Sequence, residues 1–97
     1  MSTVSSQTNP ASVMVELYGV PRMRAGRRQY QVRAACVGDA MAALERECPQ
    51  LSGDVLVSGW PLPAYRLSLN GQFFVSDPAL KLAEGDALVL VAADAGG

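Results

Sequence analysis

Histidine is absent from this 97-residue sequence, and cysteine occurs only twice, at Cys36 and Cys48. Without histidine the commonest general base at neutral pH is missing, and no nucleophile–base pairing emerges from the spacing of the remaining side chains. Two thiols are too few for a disulfide framework, for a zinc site without imidazole, or for the four ligands of an iron–sulfur cluster, which excludes a ferredoxin. Both cysteines read instead as small buried residues. An enzyme working alone, a resident metal and a bound cofactor are therefore not expected.

Long apolar runs are also missing. No stretch approaches the ~18 residues of a membrane span. Residues 1–11 are mostly Ser, Thr, Gln and Asn, with neither a basic start nor an apolar segment, and they read as a disordered tail rather than a signal peptide. The net charge of -1 supplies no general field for nucleic acid. A cytoplasmic protein without membrane or nucleic-acid partners is the expectation.

What is present is ample apolar material, 49% of residues against 18% charged, in a length suited to one domain with one core. Residues 13–20 are rich in β-branched and aromatic side chains and stop before Pro21, which predicts a strand. Val13, Val15 and Leu17 form one face, and Met14, Glu16 and Tyr18 form the other; Glu16 marks that second face as wet. A turn-like segment over residues 21–28 leads to a second alternating strand over residues 29–35, completing a hairpin. Arg22, Arg24, Arg27 and Arg28 place half of the eight basic residues in that connection, where a solvated loop is the first reading and steering of an anionic partner the second.

From Val37 the period changes. Val37, Met41, Leu44 and Cys48 recur at helical spacing, Asp39 lies in the first turn, and Pro49 ends the helix. Residues 51–63, punctuated by Gly53, Gly59, Pro61 and Pro63, predict an irregular crossing with a short extended piece at residues 55–57 and Trp60 over the core edge. Alternation resumes at Tyr65, Leu67 and Leu69, followed by Asn70-Gly71, the strongest short hairpin signal, and a return strand over residues 72–76. After a link containing Leu80 and Leu82, Gly85 supplies a positive-φ turn. Residues 87–92 are continuously apolar, as in a strand buried on both faces at the centre of a sheet.

Two strands, one helix, two strands and a final central strand is the order of the β-grasp fold. An α+β protein follows, with a mixed sheet of four to five strands around one main helix. The division is a tail over residues 1–11, a β-grasp domain over residues 12–92, and a flexible diglycine tail over residues 93–97.

Gly96-Gly97 carries the chemistry. Two glycines at one end arise by chance at about 0.5%, taking glycine at about 7% of residues. Their position after a central strand strengthens the signal, because five extended residues reach roughly 16–18 Å into a partner. Lacking Cβ, glycine lies close against another backbone. The Gly97 carboxylate is ionised at neutral pH and is a poor electrophile until activated.

The sequence over residues 13–97 resembles the small ubiquitin-like sulfur carriers of the MoaD/ThiS family, the small subunit of molybdopterin synthase and the thiamine sulfur carrier. The resemblance lies in Leu69-Asn70-Gly71, the L-x-x-G-D run from Leu82 to Asp86, the apolar last strand and the A-G-G ending; only their combination is specific. It implies that a ubiquitin-activating-type enzyme uses ATP to adenylate Gly97, that a sulfur donor system converts the adenylate to a thiocarboxylate, and that a partner such as a molybdopterin synthase large subunit consumes the sulfur. The chain's length favours the molybdopterin side. Ala92 and Ala93, however, stand where many molybdopterin synthase small subunits carry two prolines, and the family includes carriers for other sulfur-containing products.

The resemblance also implies partner contacts at Tyr18, Phe73 and Val91, on the sheet face turned from the helix, and at Asp94 and Ala95 in the tail. Asp86 is either a docking residue or a turn residue beside Gly85. Two other functions fit the same pattern: a modifier joined through Gly97 to lysines of other proteins, and a noncovalent β-grasp interaction module whose glycines are incidental.

Overall fold

The computed structural model describes residues 10–93. Seven strands, two helices and a 3-10 turn follow one another as β1 (Ala11–Leu17), α1 (Val20–Ala25), β2 (Gln29–Ala34), α2 (Val37–Glu47), the 3-10 turn (Pro49–Leu51), β3 (Leu56–Val57), β4 (Trp60–Pro61), β5 (Tyr65–Leu69), β6 (Phe73–Val75) and β7 (Ala87–Ala92). Five strands form one sheet in the order β2-β1-β7-β5-β6, while β3 and β4 pair separately. Only β1 and β7 run parallel. This is the β-grasp arrangement expected from the sequence.

Burial follows the strand period. Val13, Val15 and Leu17 of β1 are fully buried, as are Leu88 and Leu90 of β7. They meet Val37, Ala40, Met41 and Leu44 on the inner stripe of α2, so helix and sheet enclose one core. Trp60 packs against its edge. No polar side chain is buried among the described residues.

The start of α2 has no side-chain cap. Its first amides donate elsewhere: Val37 N–H to the Leu80 carbonyl at 2.9 Å and Gly38 N–H to the Pro78 carbonyl at 2.8 Å. That approach is close enough to favour glycine at 38, because a Cβ there would lie 3.2 Å from both Pro78 Cβ and Pro78 O and would push the neighbour back by a few tenths of an ångström. Across the helix, the Glu45 carboxylate accepts hydrogen bonds from Ser52 Oγ and Gly59 N–H, each at 2.7 Å, and so holds the β3–β4 hairpin on α2.

Four expectations need correction. The β1–β2 connection is a helix rather than a turn-like loop: Pro21 occupies the first turn of α1, where its missing N–H costs nothing, and Gly26 at φ 78° closes it by donating to the Arg22 carbonyl. The β7 run is central but buried on one face only; Ala87, Val89 and Val91 on the other face are half-buried. Ala11 already belongs to β1 and is buried, so the body begins before residue 12. Ala93 donates its N–H to the Ala64 carbonyl at 2.7 Å, which keeps residue 93 with the body rather than the tail.

Candidate functional site

The chain leaves the sheet at its centre. Ala92 lies opposite Tyr65 at the end of β7, between β1 and β5. Gly96, Gly97, Asp94 and Ala95, the expected tail residues, lie outside the described residues, as do residues 1–9 of the N-terminal tail expected over residues 1–11. The body does show what surrounds the root of that tail.

On the sheet face turned from α2, register places Glu16 beside Val89, Val89 beside Ser68, and Ser68 beside Phe74. One step toward the end of β7, Val91 lies beside Arg66, and the Tyr18 N–H donates to the Leu90 carbonyl at 3.1 Å. Tyr18 and Phe74 are about half exposed, at 47% and 59%. The Arg66 guanidinium carbon lies 5.1 Å from the centre of the Phe74 ring, a cation–π contact that keeps the arginine over the apolar row. An apolar strip of Tyr18, Val89, Val91 and Phe74 therefore reaches the point where β7 ends, bordered by Arg66 and Glu16.

Tyr18 and Val91 stand on the face assigned to them from the sequence. Phe73 does not share their parity. It pairs with Leu69, a core-facing residue, whereas its neighbour Phe74 pairs with outward-facing Ser68. Phe73 is nonetheless 51% exposed at the sheet edge, and with Phe74, Val91, Ser68, Gly71 and Gln72 it lines a shallow depression of about 350 Å³. Phe74, Val89 and Arg66 were missed; the alternation of β5 already placed Arg66 opposite Leu67, and that was the available signal.

Toward the other end of the strand, one hydrogen-bonded clasp sets the start of β7. Asp86 Oδ2 accepts from Ala83 N–H at 2.8 Å, and Asp86 Oδ1 accepts from Asn70 Nδ2 at 3.0 Å. Asn70 Oδ1 in turn accepts from Ala87 N–H at 2.8 Å, while Asn70 N–H donates to the Ala87 carbonyl at 2.7 Å. Hydrogen bonds from Ala83 and then Asn70 hold the Asp86 carboxyl below its usual pKa. The two motifs that carried the family resemblance thus meet in space, and Asp86 serves the turn. Elsewhere, Tyr30 is pushed up to about 12, chiefly by burial and then by hydrogen bonding to Cys48.

No group of three or more metal-ligating side chains occurs among the described residues, and none of their helices is long and apolar enough to cross a membrane. The described residues present a partly exposed apolar strip beside the point where β7 ends, with Ala93 tied to Ala64.

Solved structures share this architecture. Small archaeal modifier protein 1 of Haloferax volcanii matches with a TM-score of 0.76 at 28% identity, over 90% of this chain and 100% of that one. A chain of the Amycolatopsis orientalis BexX/CysO complex gives 0.71 at 18% identity, over 88% and 99% respectively. A Pyrococcus furiosus protein bearing the name molybdopterin converting factor, subunit 1, gives 0.69 at 20% identity, over 84% and 97%. The last two are likenesses of fold. These neighbours are ubiquitin-like proteins of the MoaD/ThiS carrier and modifier kind, in agreement with the sequence resemblance. No protein-family model matches the chain, and no curated protein matches it by sequence.

Proposed function

We propose that this ubiquitin-like chain, built on the same plan as the small sulfur carriers and modifiers, is a protein-borne substrate that presents Gly97 as a C-terminal carboxylate for activation and sulfur loading. The observation that carries the reading is the placement of β7. As the central strand it ends beside the partly exposed strip of Tyr18, Val91 and Phe74, and only three residues lie between Ala92 and Gly96-Gly97. An enzyme seated on that strip meets the tail at its root.

The chemistry follows from the carboxylate. Ionised Gly97 resists nucleophiles, so the partner enzyme joins it to the α-phosphate of ATP and releases pyrophosphate. Hydrosulfide attacking the acyl carbon then expels AMP with the bonding pair and leaves a thiocarboxylate, whose sulfur a downstream enzyme takes. The chain itself supplies position: the Ala93–Ala64 hydrogen bond fixes where the arm begins, and the sheet face holds the body. Asp94 and Ala95 lie in the part of the arm that the activating enzyme would grip. A molybdopterin-type pathway is the favoured destination, in keeping with the name borne by the Pyrococcus furiosus neighbour.

A second reading draws on the Haloferax volcanii neighbour, whose name is that of a modifier. The same adenylate, attacked by a lysine amine, would give an isopeptide bond at Gly97.

Intact-mass measurement after incubation with an adenylating enzyme of the source organism, ATP and sulfide tests the reading. A gain of about 16 Da, one oxygen exchanged for sulfur, is expected, and it must vanish when Gly97 is deleted. Lysine adducts without that gain would favour the modifier, and neither product would refute both.

A further inference from the structure

Arg22, Arg24, Arg27 and Arg28 crowd into seven positions that contain no acidic residue. The structure separates their roles. Arg24 is paired with Asp54 at 2.9 Å. Arg27 lies with its guanidinium carbon 4.2 Å over the Tyr30 ring and donates from Nε to the Gln29 carbonyl, which fixes its position without neutralising it. Among the described residues, neither Arg22 nor Arg28 has an ion pair. Arg22, Arg27 and Arg28 line an open depression of about 490 Å³ together with Gly19, Met23 and Gly26. Met23 is 80% exposed at its rim.

The location of this depression gives it meaning. Because β1 and β7 are parallel, with Leu17 opposite Leu90, α1 starts at the same end of the sheet where β7 finishes, and the two are in contact. Any enzyme that handles the residues after β7 works next to these arginines.

We propose that the arginine-lined depression is a second docking site, taking an acidic surface of the enzyme that activates Gly97, with Met23 as an apolar anchor. This rests on the reading of Gly97 as an acyl donor and names the chemistry of its partner. Removing the four arginines from the count leaves four basic residues against nine acidic ones, a balance of -5 over the rest of the chain. A long polyanion such as nucleic acid would be repelled beyond the patch, whereas a confined acidic patch on a protein is attracted at this end alone. The depression supplies orientation: it pairs with the apolar strip to fix the body on two sides of the tail's root.

Pyrophosphate exchange, catalysed by the adenylating enzyme of the source organism with this chain as varied substrate, tests the proposal. The double variant Arg22→Glu/Arg28→Glu should raise KM by about ten-fold at about 0.05 M salt, with the gap shrinking as salt rises to about 0.5 M, while the rate at saturation holds. Arg22→Lys/Arg28→Lys should stay close to the parent. Arg33→Glu/Lys81→Glu makes the same change in net charge at the opposite end of the sheet and should shift KM by less than about two-fold. Thermal melts confirm that each variant is folded. Equal KM values for the two charge-reversed proteins, or a shift indifferent to salt, would overturn the proposal and leave the acyl-donor reading intact. No exchange with the parent chain would overturn the acyl-donor reading and the partner named here together.

Discussion

Replacing Asn70 by alanine is expected to destabilise the protein by about 2–3 kcal/mol, although the side chain is exposed. Two hydrogen bonds disappear, Asn70 Nδ2 to Asp86 Oδ1 and Ala87 N–H to Asn70 Oδ1. At a solvent-exposed site each contributes toward the low end of the usual range, about 0.5–1 kcal/mol. The backbone adds to this. Asn70 sits at φ 54°, where asparagine is tolerated and alanine costs about 1 kcal/mol more. Asn70→Gly loses the same two bonds without that strain, so it should cost about 1–2 kcal/mol, the less severe of the pair although it removes more of the side chain. Urea denaturation followed by circular dichroism measures both, and the melting temperature should fall by about 4–8 °C for each kcal/mol. An alanine variant no less stable than the glycine variant would refute the backbone part of the reasoning. Either variant within about 0.5 kcal/mol of the parent would refute the clasp.

Acid should weaken the protein through the same clasp. Asp86 has a folded pKa below that of the unfolded chain, so its contribution is complete above the ordinary carboxylate range and is lost as pH falls through the lowered folded value; Asp86→Asn should flatten that part of a pH-dependent denaturation series. In alkali the sign reverses for Tyr30. Its folded pKa of about 12, against the ordinary tyrosine value of 10.0, keeps it protonated while the unfolded chain ionises, so stability should decline between those values, and ultraviolet titration should show a late-ionising tyrosine that Tyr30→Phe removes. Leu90→Ala, at a fully buried position of the central strand, should cost about 2–5 kcal/mol in denaturant unfolding. Phe74→Asp should change stability by no more than about 1 kcal/mol and yet reduce activation of Gly97 by the adenylating enzyme, measured as KM in pyrophosphate exchange.

The periodic elements were legible because burial on one side imposes a period on the residues themselves. Val13, Val15 and Leu17 announced β1, the spacing of Val37, Met41 and Leu44 announced α2, and both faces of β1 were assigned correctly. α1 escaped because its signals are those of a loop: Pro21 and Gly26 punctuate turns as readily as they begin and end a helix, and six residues are too few to display an apolar stripe. Phe73 departs from the face that the resemblance implied for it, and the reason is register. A two-residue Asn70-Gly71 loop would set Gln72 opposite Leu69 and Phe73 opposite Ser68. The chain instead pairs Leu69 with Phe73, and the extra residue turns Phe74 outward in its place. One-sided burial of β7 could not be read either, because valine and alanine fill an inner face and a half-covered outer face equally well. The meeting of Asn70 with Asp86 needed the fold, since sixteen residues separate them.

Placing the last strand in the middle of the sheet has a consequence for the order of manufacture. Until residues 87–92 emerge from the ribosome, the β1–β2 pair and the β5–β6 pair have no strand between them, and the inner residues of both lack the neighbours Leu88 and Leu90. Beyond its hairpin with β2, the first strand must wait for its parallel partner about seventy residues downstream, the kind of long-range closure that slows folding. A fragment lacking residues 87–92 therefore leaves the two strand pairs without their shared neighbour and cannot close the core.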